Sequence, residues 1–93
     1  MAKRDKNGET ASERIARKFI SGIDINECNT RSVNFSEFNQ GLYLYNSQIA
    51  SLVSNRLYIN NDHQFNGSRL TKERKQALRI EARRHNIEIV EAV

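Results

Sequence analysis

The sequence predicts a mainly α protein of three helices, about 11–22, 35–57 and 70–85, with a minor β element at about 57–65 and 87–92. Three observations point there. Thr10 with Glu13, and Asn34 with Glu37, have the spacing of capping boxes, in which two side chains satisfy orphan N–H groups at a helix start. Phe38, Leu42, Tyr45, Ile49, Leu52 and Arg56 follow at spacings of 4, 3, 4, 3 and 4, a heptad seam. Residues 69–86 hold seven of the fifteen basic residues and two of the eleven acids, sorted by face at ~100° per residue.

The opening MAKRDKNGE has almost no apolar side chain to offset the entropy of ordering, so residues 1–9 are expected as a flexible basic tail before a single domain at 10–93. In the first helix Ala11, Ile15, Ala16, Phe19, Ile20 and Ile23 share one half of the wheel, opposite Glu13, Arg14, Arg17 and Lys18. Residues 24–32 are polar and aperiodic and read as a loop, with a short extended piece at 23–25.

For the second helix, Val33 and Phe38 occupy the positions joined by a hydrophobic staple. Gly41 costs this helix about 1 kcal/mol relative to Ala, and GLYLYN also reads as a β-prone segment. The alternative is therefore a break at 41–46, with a shorter helix from Asn46 or Ser47 to about Arg56. LYINNDHQFNG suggests a short hairpin or irregular loop over 57–67. Ser68 or Thr71 caps the third helix and Asn86 ends it in a left-handed conformation. IEIVEAV alternates like a strand, whose partner is the 57–65 region, the 23–25 piece or another copy of the chain.

Ninety-three residues bury too little surface to enclose a roomy catalytic cleft, so a small binding module is the default and no enzyme is expected. The eleven Asn residues read as the codon bias of an AT-rich genome, pointing to a bacterial or phage source. The lone cysteine, Cys28, cannot form an intramolecular disulfide. Nothing near the N-terminus resembles a secretory h-region, and no membrane span is expected. The expected location is the cytoplasm of a bacterium or phage-infected host. Cys28, His63 and His85 lack the close spacings of metal ligands, and no phosphate-cradling loop or nucleophile elbow is present, so no metal or cofactor is expected.

On a helical wheel Lys72, Lys75, Arg79 and Arg83 fall within an arc of ~80°. Residues 69–85 carry seven basic and two acidic residues, a net charge of +5 against +4 for the chain, so the positive charge is localised. The leading expectation is a module that contacts nucleic-acid phosphates through this basic third helix with little sequence specificity, helped by Arg14, Arg17 and Lys18. It requires those four third-helix side chains to project together into water, unneutralised by the fold's own acids. The opposing reading is an ordinary solvated helix face. Tyr58 and Phe65 are the aromatics placed near a loop, where they can stack on bases.

The second helix is nearly uncharged, and Phe38, Leu42, Tyr43, Leu44, Tyr45, Ile49 and Leu52 are expected to form a partner or self-association surface, giving a homodimer or higher oligomer. The alternative function is a phage or mobile-element protein that inhibits a host or defence protein by direct binding, using that surface or offering the basic face to an acidic partner. A third is capture of an anionic nucleotide at an oligomer interface.

Overall fold

A computed structural model of the chain describes residues 4–61 and 69–92. In chain order the elements are α1 (Ala11–Ile20), β1 (Asn26–Glu27), β2 (Thr30–Ser36), β3 (Asn39–Leu44), β4 (Ser47–Val53), β5 (Arg56–Asn60), α2 (Arg69–Arg84) and β6 (Glu88–Ala92). The strands form one six-stranded sheet in sequence order, antiparallel from β1 to β5, with β6 added parallel to β5. This corrects the expected mainly helical, three-helix architecture: the protein is a mixed sheet with two helices.

The expected second helix is the centre of the sheet. Residues 35–57 run from the end of β2 through β3 and β4 into β5. Leu42 and Leu44 alternate with Gly41 and Tyr43, so a period of two governs the burial. Two-residue turns reverse the chain at Cys28–Asn29 and Ser54–Asn55. All four residues have positive φ, the geometry whose twist matches paired strands. Asn34 and Glu37, expected to cap a helix, lie in β2 and in the turn after it.

The outer elements follow local signals. Glu13 N–H donates to Thr10 Oγ1 at 3.2 Å and Thr10 N–H donates to Glu13 Oε1 at 2.8 Å, so the first capping box is formed. α1 ends at Ile20, two residues before the expected end. Asn86, at φ +57°, terminates the second observed helix as expected. β6 finds its partner in β5, one of the three partners the sequence allowed, with Leu57 opposite Ile89 and Tyr58 opposite Val90. Within the expected tail, residues 5–8 make a turn closed by Gly8 N–H to the Asp5 carbonyl at 2.9 Å. Residues 62–68, with His63, Phe65 and Ser68, lie outside the described residues, as does Lys3.

Both helices cover one face of the sheet. Ile15, Ala16 and Phe19 of α1 and Leu78 and Ala82 of α2 pack with Leu42, Leu44, Ala50, Leu57 and Ile59 into one core. Burial of that apolar surface is the main stabilising contribution. Extra residues at Phe35 in β2 and Ile49 in β4 shift the register. Ile49 is buried together with Ala50, and Phe35 is half exposed. No described helix is long and apolar enough to cross a membrane.

Candidate nucleic-acid interface

The helix-borne cations do not form the expected ridge. Lys72 and Arg83 are exposed, but Lys75 is turned inward at 3% exposure. Arg79 donates from Nε and Nη2 to both oxygens of Glu91. The reason is that this helix touches α1 along one flank and β6 along another, so its buried arc is wide: Thr71, Arg74, Lys75, Leu78, Glu81 and Ala82 are all covered. Glu81 pairs with both candidates on its own helix, Arg84 at 3.4 Å and His85 at 2.9 Å.

The first-helix cations are neutralised as well. Arg14 donates from Nε to Glu27 Oε1 at 2.7 Å and from Nη1 to Asp5 Oδ2 at 2.9 Å, and these bonds raise its pKa further above the ordinary arginine range. Lys18 Nζ reaches the other Glu27 oxygen at 2.7 Å. Hydrogen bonds from Arg14 first, and then Lys18, hold the Glu27 carboxyl below the usual carboxylate range. Arg17 forms a two-pronged pair with Glu9 at 2.9 and 3.1 Å. These cations fasten α1 to the chain before it and to β1, and they release few counterions to a polyanion.

The expected self-association surface is dismantled for the same reason that the second helix is absent. Leu42, Leu44 and Ile49 are core residues and Leu52 is partly buried against them. Phe38 is exposed at the β2–β3 turn and Tyr45 at the β3–β4 turn. Tyr43 faces away from the core. These residues do not form one surface.

What the structure does bring together is the sheet face opposite the helices. Strand alternation and register place Val33, Gly41, Ser51, Tyr58 and Val90 in one row across five strands. Arg31 and Tyr43 form the next row on one side, and Val53, Arg56 and Glu88 on the other. No described element packs on this face.

Its centre is shaped by a glycine. A Cβ on Gly41 would stand 2.8 Å from Phe35 Cε2, 3.0 Å from Gln48 Nε2 and 3.2 Å from Tyr43 Cε1. The missing side chain therefore lets the bulged Phe35 ring lie across β3 beside Tyr43. The guanidinium carbon of Arg31 sits 4.8 Å from the centre of the Tyr43 ring, in cation–π contact. Across the sheet, a hydrogen bond with the Tyr58 side chain and then the charge of Glu88 raise the Arg56 pKa, and Arg56 Nε meets Glu88 Oε2 at 2.8 Å.

Two arginine–tyrosine pairs thus flank an aromatic platform. The chemistry available is stacking and phosphate contact. Among the described residues no three His, Cys, Asp or Glu side chains gather to hold a metal. Sequence reasoning named Tyr58 as a stacking residue and Tyr43 as an exposed one, but missed Phe35, Arg31 and Arg56. The signal for them was present as period-two spacing in Arg31-x-Val33 and Arg56-x-Tyr58. No protein-family model, curated protein or solved structure matches the chain.

Proposed function

We propose that the protein is a non-enzymatic module that binds single-stranded nucleic acid on its open sheet face. The observation that carries this reading is the Arg31 guanidinium over the Tyr43 ring, beside the Phe35 ring, on a face the rest of the described fold leaves uncovered. Flat aromatic groups next to a guanidinium are what a splayed strand needs: every base has a π-face to stack, and every linkage has a phosphate to pair. Duplex is the poorer ligand, because its bases are already stacked. Lys72 and Arg83 lie on α2, away from the platform, and serve only the part of a strand that wraps past the sheet edge.

Binding is tested by fluorescence polarisation of labelled single-stranded DNA and RNA at about 50 mM and about 200 mM salt. The expected result is salt-dependent binding that weakens roughly tenfold in Tyr43→Ala, since one base–aromatic stack is worth about 1–3 kcal/mol. Absence of binding to any single strand at the lower salt overturns the reading. In that case a partner that survives nuclease and high salt in a pull-down identifies the face as a protein-docking surface instead.

A further inference from the structure

At one end of the platform the β1–β2 turn meets the β3–β4 turn. Between them lies a cleft of about 250 Å³ lined by Asn26, Asn29, Thr30, Arg31, Tyr45 and Asn46. That is below the usual volume of a drug-sized pocket and suits one ring-sized group. Three of its six lining residues carry carboxamides. The Asn29 amide donates to the Tyr45 hydroxyl at 3.2 Å, and the Tyr45 N–H donates to the Asn29 carbonyl at 2.7 Å, so the two turns are locked together. Among the described residues the side chains of Asn26 and Asn46 make no hydrogen bond.

Tyr45 is held at φ +56°, a backbone conformation that aromatic residues rarely adopt, yet its side chain remains 61% exposed. Burial does not account for the strained placement, whereas presentation of the ring at the cleft wall does. Arg31 lines the cleft and also lies over Tyr43, so the cleft and the platform share a residue.

We infer that this cleft is a nucleobase pocket in which the Asn26 and Asn46 carboxamides select adenine. A carboxamide presents a donor and an acceptor side by side, matching the N6 amino group and N7 of adenine, while cytosine and thymine lack that pair on one edge. Tyr45 supplies a face for stacking and Arg31 meets the phosphate of the captured nucleotide. The inference rests on the open face as the path of the strand, and it adds a base preference to a surface otherwise indifferent to sequence.

The test uses the full chain in two arms. In the first, AMP and UMP are titrated into isotopically labelled protein and the Asn side-chain amide resonances are followed by NMR. In the second, oligo(dA), oligo(dT) and oligo(dC) are compared by fluorescence polarisation on the native chain and on Asn26→Ala combined with Asn46→Ala. AMP is expected to shift the Asn26, Asn29 and Asn46 amides more than UMP does. Oligo(dA) is expected to bind about tenfold more tightly than oligo(dT), with the double variant within about twofold for the two and oligo(dT) affinity retained.

Equal affinity for the three homopolymers, or a preference for oligo(dA) that persists in the double variant, overturns the pocket and leaves the platform standing. AMP shifts at the three amides without binding of any oligonucleotide support the pocket and overturn the strand path. If the double variant does not fold, the AMP shifts on the native chain decide: shifts confined to residues outside the cleft overturn the inference.

Discussion

Arg79 of α2 and Glu91 of β6 form a fork-to-fork ion pair, Nε to Oε2 at 2.8 Å and Nη2 to Oε1 at 2.9 Å. The Asn61 amide adds a bond to Glu91 Oε1 at 2.9 Å. Parallel pairing to β5 leaves β6 at the edge of the sheet, where this clamp ties it back to the helix that precedes it. The Arg79 hydrogen bonds, opposed by some burial and aided by Asn61, lower the Glu91 carboxyl to about 2.

The consequence is a defined pH window. The folded value lies below the reference value of 4.5, so the pair's contribution is complete above about pH 4.5 and is lost as pH falls toward about 2. The Glu91 side chain is 45% exposed, so solvent screening reduces that contribution to about 1 kcal/mol. Glu91→Gln is expected to lower stability by that amount in denaturant unfolding at neutral pH, with the gap closing near pH 2. A gap of equal size at both pH values contradicts the assignment.

Arg74 presents a different kind of charge. It is 4% exposed, and its guanidinium donates to neutral acceptors: Ser12 Oγ, Thr30 Oγ1 at 3.3 Å and the Cys28 carbonyl at 3.5 Å. Burial lowers its pKa. The side chain joins α1, α2 and the β1–β2 turn. Arg74→Ala removes both the bonds and the packed stem, and an unfolding loss of about 3 kcal/mol is expected. Arg74→Met keeps most of the stem and removes the buried charge, so its loss is expected to be about 1 kcal/mol. If Met is as damaging as Ala, the guanidinium bonds matter more than the packing.

Gly41→Ala separates stability from binding. The change ordinarily stabilises a chain by about 0.4–1 kcal/mol through the unfolded state. Here the new methyl meets Phe35 Cε2 at 2.8 Å, but that ring is half exposed and free to swing outward. The expected outcome is a melting temperature within a few degrees of the native protein together with weakened oligonucleotide binding, because the platform has lost its floor. Retained affinity in this variant places the binding surface elsewhere.

How much of this was legible in the sequence differs by element. α1 carries its own start signal in Thr10 and Glu13, α2 carries its own stop in Asn86, and β6 shows unbroken alternation. Residues 35–57 misled because strand length plus turn length imitates a heptad. Turns at 37–38, 45–46 and 54–55 recur every eight or nine residues, so core-facing Leu42, bulged Ile49 and strand-end Leu52 fall at near-helical spacing. The lack of charge there reflects central strands between two neighbours, not a helix waiting for a partner. The basic ridge misled because a wheel places residues around one axis and says nothing of how many neighbours surround it. Arg79 and Lys75 face β6 and the interior, and only the tertiary arrangement could show that.

The distribution of salt sensitivity separates the sheet platform from the helix as the phosphate-binding surface. On a single strand, removing one cation that pairs with a phosphate lowers the log–log salt slope by about 0.7. Arg31→Ala with Arg56→Ala removes the two platform guanidiniums and is expected to lower the slope by about 1.4, with a fall in affinity. Arg14→Ala with Arg17→Ala removes cations already matched to Asp5, Glu9 and Glu27, and the slope is expected to stay unchanged. Lys72→Ala with Arg83→Ala reports on the helix alone, and the expected change is smaller than that of a single phosphate because both side chains lie off the platform. The measurement is binding affinity across a salt series for each double variant. A slope change of about 1.4 in the Lys72/Arg83 variant, with the Arg31/Arg56 variant unaffected, returns the interface to α2 and removes the sheet face from the mechanism.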